Sequence, residues 1–253
     1  MSWGHQATVG DGACSCLPFR SPVRGARGGM DSSAKKPGVL FDVDGTLLDT
    51  NYVHVLAWWR ACRDTGYDEI TMATLHQAIG MASELLCERV LGKADERTIE
   101  AHSDRFDELR HLVSSLPGAA DLVRACADHG LTTVLATSGK GDDLDWMLPA
   151  IGAGDAVAGS TTSEQVSRSK PNPDLLAAAL REHDLDPART TVLGDTVWDV
   201  GAATNAGMAC VGLTCGGISE AELREAGALE VYDDPADVLR NLESSAILGR
   251  ARA

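Results

Sequence analysis

The sequence predicts a three-layer α/β fold: a parallel sheet with helices on both faces and a helical domain inserted after the first strand. Two observations support this prediction. Short apolar runs alternate with helical patterns from residue 119 to residue 242, which is typical of a doubly wound parallel sheet. Residues 50–116 lie between the first two predicted strands, and this span is far longer than the roughly 12 residues that a crossover needs.

The first strand is the run from Val39 to Val43, which ends at the tight-turn signal Asp44-Gly45. Apolar spacing, helix caps and turn residues define the other elements. In the inserted segment we expect a helix at residues 51–63 and two or three more between residues 71 and 115. In the remainder we expect strands at 132–136, 155–158, 191–193 and 209–213, with helices at 119–129, 141–148, 198–206 and after Asn172, Ser219 and Asp234.

These elements divide the chain into four parts. Residues 1–36 are rich in glycine and serine and have no apolar periodicity, so we expect a disordered extension. The α/β core comprises residues 37–49 and 117–245, and residues 50–116 form a helical cap. Residues 246–253 are expected to be a C-terminal tail.

The charge of the chain restricts its partners. The 253 residues carry a formal net charge of −15, which argues against nucleic acid or an anionic membrane as a partner. No apolar run reaches the roughly 20 residues that span a bilayer, and the first residues lack the pattern of a signal peptide. We therefore expect a cytoplasmic protein whose seven cysteines are reduced. The sequence indicates no particular oligomeric state.

Acidic side chains follow two of the predicted strands. Asp42 and Asp44 lie at the carboxyl end of the first strand, the edge at which parallel sheets bind ligands. A buried, ionised aspartate costs several kcal/mol without compensation, so Asp42 needs a cation, hydrogen-bond donors or a covalent role. Asp195 ends another buried strand, and Asp199 follows it into a helix. Carboxylates converging from two strand ends suit Mg²⁺, although a helix cap is the alternative for Asp199.

Two further clusters carry groups suited to phosphate. Thr137, Ser138 and Gly139 follow the second core strand, where a hydroxyl and backbone N–H groups can hold phosphate at the start of a helix. An ordinary turn is the alternative. Lys170 precedes the proline-rich residues 171–174, a stiff turn that would fix its side chain, whereas most lysines are solvated at the surface.

These clusters resemble the motifs of one family. Asp42-x-Asp44-Gly45-Thr46-Leu47 resembles the first motif of the haloacid dehalogenase-like superfamily, in the form with a second aspartate that marks phosphatases and phosphomutases. Lys170-Pro-x-Pro-Asp resembles its lysine motif, and all four clusters occur in the family's order within residues 38–240. The resemblance implies a Rossmann-like sheet with an inserted α-helical cap.

The resemblance also implies a reaction and its residues. The activity is a Mg²⁺-dependent phosphatase that hydrolyses small phosphorylated metabolites, of phosphoglycolate or sugar-phosphate type, through an aspartyl phosphate on Asp42. Asp44 is the acid and base, and Thr137 and Lys170 hold the transferring oxygens. The implied metal ligands are Asp42, the backbone carbonyl of Asp44, Asp195 and Asp199. The implied substrate-binding residues are Thr46, His54, Ser138 and Gly139.

Two alternatives stay open. Thr50 and His54 stand where the sugar-phosphate mutases of the superfamily carry a threonine and a histidine, so a phosphosugar mutase of β-phosphoglucomutase type is possible. Those mutases place an arginine shortly after a cap glycine, but residues 81–84 after Gly80 contain none, which favours hydrolysis. A non-catalytic metal-binding module is the second alternative, although the twelfth position of a calcium loop begun at Asp42 is Val53 instead of glutamate.

Overall fold

The computed structural model describes Met1 and residues 35–253, so the expected disordered extension lies outside the described residues except at its two ends. Residues 35–253 form one compact unit built on a six-stranded parallel sheet. The strands are β1 (Lys36–Phe41), β2 (Thr132–Ala136), β3 (Gly159–Thr161), β4 (Leu185–Gly194), β5 (Ala209–Leu213) and β6 (Glu230–Tyr232), in the spatial order β3-β2-β1-β4-β5-β6. None of the described helices is long and apolar enough to cross a membrane.

Eleven α-helices connect and cover these strands within the described residues. Four of them lie in the long segment between β1 and residue 116: α1 (Asn51–Asp64), α2 (Met72–His76), α3 (Ser83–Leu91) and α4 (Glu96–Leu109). The others are α5 (Ala119–Asp128), α6 (Leu144–Ile151), α7 (Asp174–Glu182), α8 (Val197–Asn205), α9 (Glu220–Ala226), α10 (Pro235–Asn241) and α11 (Ala246–Ala251).

The sheet is buried on both faces because alternate strand residues point to opposite sides. In β1, Val39 and Phe41 pack into a core cluster with α5, α6, α10 and α11. Leu40 packs into a second cluster with α7, α8 and α9 on the other face. The predicted three-layer α/β fold is confirmed.

The order of the strands creates a switch point beside β1, because the chain winds outward from this strand in both directions. The strand ends are also level: Phe41 pairs in register with Leu135 of β2 and with Leu193 of β4. Residues that directly follow these three strands therefore meet at one edge of the sheet.

Helices α1 to α4 have a hydrophobic core of their own. It includes Val55 and Trp58 of α1, Leu75 of α2 and Leu86 of α3. The two connections to the sheet run side by side, because the N–H of Asp49 donates to the carbonyl of Ser114 at 2.9 Å. The boundaries proposed for the cap, residues 50–116, stay a prediction.

The structure corrects three local expectations. The strand expected at residues 155–158 is a 3₁₀ turn at Gly154–Ala156, and the strand follows it at Gly159–Thr161. Gly159 is a poor strand former, but it pairs with β2 and a side chain there would overlap the His183 ring. Strand β6 was not predicted, because its three residues are too few for a period of two to be detected.

The last correction concerns the tail expected at residues 246–253. This segment contains helix α11, whose Ile247, Leu248 and Ala251 are buried in the same cluster as β1. Ser245 precedes the helix and is also buried, with its hydroxyl donating to the carbonyl of Leu242 at 2.8 Å. The C-terminal residues therefore complete one face of the core.

Shortening Ile247 to alanine should lower the free energy of unfolding by about 2–4 kcal/mol, because the substitution removes buried methyl groups and leaves a cavity. Urea unfolding measures the difference. Gly249→Ala is the matched control in the same helix: a β-carbon there meets no atom within 4 Å, so stability should stay equal or rise by about 0.5–1 kcal/mol. Equal stability of wild type and Ile247→Ala would contradict a core role for α11.

Candidate active site

A group of ionised side chains lies at the switch-point edge of the sheet. Asp42 follows β1, and Asp195 and Asp199 follow β4, which the common register brings together. Lys170 approaches from the segment between β3 and α7. All four residues are buried, with at most 4% of each exposed. Burial of several charges at one place requires that they compensate one another.

Lys170 supplies part of that compensation. Its ammonium Nζ lies 2.5 Å from Oδ1 of Asp42 and 2.7 Å from Oδ1 of Asp199. Burial lowers the pKa of Lys170, but the two carboxylates outweigh it and raise the pKa above its ordinary value. The side chain is therefore a permanent cation that bridges the ends of β1 and β4.

Asp199 has two partners. Its Oδ1 faces Lys170, while its Oδ2 accepts from the N–H of Thr196 at 3.1 Å and from the Thr196 hydroxyl at 2.6 Å. Thr196 is the N-cap of α8, so these bonds form a capping box. Asp199 is thus a helix cap, as the alternative proposed, and also an ion-pair partner of Lys170.

Hydrogen bonds from two other segments orient Asp195. The Thr46 hydroxyl donates to Oδ1 at 2.9 Å, and the Asn51 side-chain amide donates to Oδ2 at 2.7 Å. Gly216 passes so close that a β-carbon there would overlap this carboxylate. Burial is the main cause that raises the pKa of Asp195, to about 7. Thr46 is fully buried, so its hydroxyl contacts a candidate metal ligand and not the cavity.

The carboxylate cluster fits a divalent cation. Asp42, Asp195 and Asp199 each offer an oxygen atom, and these atoms lie within 4.8 Å of one another. Three buried carboxylates face the single ammonium of Lys170, which leaves excess negative charge. Burial is the main cause that raises the pKa of Asp42 well above its ordinary value, and the neighbouring carboxylates raise it further against the opposing effect of Lys170. A hard cation with oxygen ligands would balance this charge.

Asp44 lies beside this cluster, with its side chain 19% exposed. Its Oδ1 accepts from the Thr50 hydroxyl at 2.8 Å and lies 3.4 Å from Nε2 of His54. Burial alone would raise the pKa of Asp44, but the His54 and Thr50 contacts outweigh it and lower the pKa below its ordinary value. Thr50 and His54, singled out from the sequence, therefore both contact Asp44.

The contact continues to a second histidine. Nδ1 of His54 lies 3.2 Å from Nε2 of His102, so Asp44, His54 and His102 form a chain of polar contacts. The two imidazole rings are held by aromatic stacking, with His54 on Phe106 and His102 on Trp58, both at 4.0 Å between ring centroids. This chain joins the core to α1 and α4.

The turn after β2 lies at the same edge. Thr137 is fully buried, and its hydroxyl accepts from the N–H of Gly139 at 2.9 Å. The Ser138 hydroxyl donates to the carbonyl of Gly80 at 3.3 Å, which fixes the segment before α3 above the turn. The expected phosphate-binding turn is therefore close to the helical insertion.

A cavity of about 850 Å³ opens onto these residues. Its wall includes Asp42, Asp44, His54, Ser138 and Gly139. Further parts of the wall come from α1, α3 and α4. The described residues therefore form a concave site whose wall combines polar and apolar groups, as small-molecule sites do.

Three residues of this site were missed in the sequence. Asn51 was assigned to the start of a helix, His102 lay within the helices expected between residues 71 and 115 without a role in the site, and Gly216 had no role. The excess of polar side chains at Thr50, Asn51 and His54, in a helix otherwise apolar, was the available signal. No local signal marks His102 or Gly216, because their contacts depend on tertiary structure.

A doubly wound parallel sheet with a carboxylate cluster and a cavity at its switch point is the architecture of an α/β enzyme. Residues 39–213 match the family model of the haloacid dehalogenase-like hydrolases. This match covers more than half of the chain. The chain therefore belongs to the haloacid dehalogenase-like hydrolase family, and the prediction made from its motifs is confirmed.

Known proteins of similar sequence include phosphatases. Phosphoglycolate phosphatase of Vibrio vulnificus (strain YJ016) is 28% identical over 190 residues, which cover 70% of this chain and 83% of that protein. Validoxylamine A 7'-phosphate phosphatase of Streptomyces hygroscopicus subsp. limoneus is 30% identical over 197 residues, 75% of this chain and 91% of that one. A crystal structure of a hydrolase from Pseudomonas syringae aligns with a TM-score of 0.78 and 34% identity, covering 83% of this chain and all of the other.

Replacing His102 should change the pH dependence of stability. Burial, and secondarily His54, lowers the pKa of His102 well below the value of 6.5 for an exposed histidine. As the pH falls below 6.5, the unfolded chain takes up a proton that the folded chain does not, so stability is lost on acidification. Between pH 7.5 and pH 5.5, the free energy of unfolding should fall by about 1 kcal/mol more in wild type than in His102→Gln.

Urea unfolding at the two pH values gives this difference. Glutamine keeps an N–H donor toward His54, and all other titrating groups are common to both proteins. Equal losses in wild type and His102→Gln would show that His102 titrates as an exposed histidine does.

Proposed function

We propose that the protein is a Mg²⁺-dependent phosphatase that hydrolyses monoesters of small phosphorylated metabolites through an aspartyl phosphate on Asp42. The observation that carries this proposal is the buried Asp42 carboxylate, which pairs with Lys170 and shares an edge with Asp195, Asp199 and the cavity. The membership of a hydrolase family and the phosphatases among its relatives support it. We also expect the enzyme to act in the cytoplasm.

In the first step, a carboxylate oxygen of Asp42 attacks phosphorus, and the bond to the ester oxygen breaks. Asp44 enters this step protonated, because the negative charge of the bound phosphate opposes the His54 and Thr50 contacts that lower its pKa. It faces the cavity two residues away from the nucleophile and gives its proton to the leaving oxygen. In the second step, Asp44 takes a proton from water as the water attacks phosphorus. The bond to Asp42 then breaks, so inorganic phosphate leaves and both aspartates return to their first state.

The remaining site residues position and stabilise the transferring group. Ser138 and Gly139 line the cavity, and the backbone N–H of Ser138 is suited to bind the oxygens of this group, while the Thr137 hydroxyl accepts from Gly139 and holds the turn in place. Lys170 neutralises Asp42 before attack. Asp42, Asp195, Asp199 and the carbonyl of Asp44 would hold Mg²⁺. When bound, this ion supplies the positive charge that allows an anionic nucleophile to approach an anionic phosphate.

The residues of the helical insertion favour hydrolysis over a mutase reaction. Gly80 lies over the phosphate turn, in contact with Ser138, so the residues that follow it are at the entrance to the site. Residues 81–84 are methionine, alanine, serine and glutamate, which cannot clamp a second phosphate as arginine does. A non-catalytic metal site would not require a lysine buried against the same carboxylate.

Asp42→Asn should lower phosphate release from p-nitrophenyl phosphate by at least about 1,000-fold, because an amide oxygen is a poor nucleophile. Asp49→Asn is the matched control from the same segment, since Asp49 is exposed and lies outside the cavity wall. The control should keep the wild-type rate. An acid quench of wild type followed by mass spectrometry should detect one added phosphoryl group. An active Asp42→Asn variant would exclude the covalent route.

Removal of divalent metal should abolish turnover reversibly. Chelation by EDTA leaves the three carboxylates with uncompensated charge, and added Mg²⁺ should restore activity. Isothermal titration of Mg²⁺ into metal-free protein should show one binding site, weakened at least about tenfold in Asp195→Asn. A rate that is unchanged after complete metal removal would exclude the metal from the reaction.

A further inference from the structure

We propose that the alcohol part of the substrate is a ring-sized group that is uncharged or cationic. This inference rests on the proposed phosphatase function and specifies the substrate class of the same site. It comes from the chemistry of the cavity wall beyond Asp42 and Asp44. That wall can be divided into an apolar surface, a charged rim on the insertion and a charged rim on the core.

The apolar surface combines aromatic and aliphatic side chains. Trp58, Phe106 and Trp146 line the cavity together, and the rings of Phe106 and Trp146 lie 5.9 Å apart at 49°. Ile79 and Met81 extend this surface toward α3. His54 covers one face of Phe106 and His102 covers one face of Trp58, so the rest of these rings and the aliphatic side chains form the apolar wall together. An apolar wall in a cavity of about 850 Å³ matches a ring-sized group with an apolar face, and it exceeds what a two-carbon acid can contact.

The insertion contributes two carboxylates to the rim, Glu84 and Asp107. Asp107 is paired with Arg110, whose guanidinium lies over the Trp146 ring. Within residues 35–253, Glu84 forms no ion pair. The unbalanced charge on this side of the cavity is therefore negative, which repels a carboxylate or a second phosphate and attracts an amine.

The core contributes two cations to the rim, but acids accompany both. Arg168 donates two hydrogen bonds to the Asp174 carboxylate, at 2.9 and 3.1 Å. Its guanidinium is therefore already paired with a carboxylate. The ammonium of Lys140 forms no ion pair within residues 35–253, but Asp143 and Glu164 line the same rim. The two cations and two acids of the core rim therefore leave no excess positive charge for a second anionic group of the substrate.

The test compares esters of equal phosphate chemistry and different alcohol charge. We measure kcat/KM for glucosamine 6-phosphate, glucose 6-phosphate and 6-phosphogluconate, with phosphoethanolamine as a small cationic ester. The kcat/KM of the first two esters should exceed that of 6-phosphogluconate by at least about tenfold. Glucosamine 6-phosphate should also have a higher kcat/KM than phosphoethanolamine, because its ring contacts the apolar wall of the cavity. Equal or faster hydrolysis of 6-phosphogluconate would overturn the inference.

Substitutions of Glu84 test whether the charged rim on the insertion causes the substrate preference. Glu84→Lys should shift the ratio of glucosamine 6-phosphate to 6-phosphogluconate toward the anionic ester by at least about tenfold, and Glu84→Gln should shift it less. Glu88→Lys, an equal charge change at an exposed position of α3 outside the cavity wall, should leave the ratio unchanged. A ratio that Glu84→Lys does not move would contradict the assignment to this rim.

Hydrolysis of p-nitrophenyl phosphate by the same wild-type preparation separates the two conclusions. If this ester is hydrolysed and the anionic sugar ester is preferred, the substrate class is wrong and the phosphatase function stands. If no ester releases phosphate, the proposed function fails, and the substrate class fails with it.

Discussion

The site depends on one buried ammonium. Lys170 lies between Asp42 and Asp199 with 2% of its surface exposed, so its charge and those of the carboxylates are far from water. Removing one member of such a group leaves the other charges buried without a partner, which lowers the free energy of unfolding by about 3–5 kcal/mol. The ion pairs therefore connect the segment before α7 to the ends of β1 and β4 at a defined geometry.

The sheet makes this arrangement possible. Because β1 is central and its register with β2 and β4 is level, each neighbouring strand delivers its first loop residues to the same point. Asp42 follows β1 directly, and Asp195 directly follows the last residue of β4. Helices on both faces keep these strands dry, so the charges at their ends act in a medium of low effective dielectric constant.

Local patterns were sufficient to predict the strands and helices that carry strong apolar runs, and the acids that follow them. The apolar run before Asp42 and the helix after Ser219 are examples in which sequence and structure agree. The pairing of Lys170 with Asp42 joins residues 128 positions apart, and no local pattern specifies it. Only the order of the family motifs indicated that both residues belong to one site.

What the sequence could not specify depends on packing between distant elements. Gly159 becomes a strand residue because β2 offers its hydrogen bonds, against its own propensity. Ile247 lies in a segment too short to show helical periodicity, but the core face of the sheet buries it. His102 looks like an apolar-face residue in the sequence, and its role follows from the position of His54 on another helix.

The first turn of α1 couples the insertion to the chemistry. Thr50 and His54 contact Asp44, while Asn51 between them contacts Asp195 and the carbonyl of Gly216. One helical turn thus orients both the candidate acid and base and a candidate metal ligand. A rotation of α1 that widened the cavity would withdraw donors from both carboxylates at once. The same three side chains therefore hold both carboxylates in place and join them to the insertion.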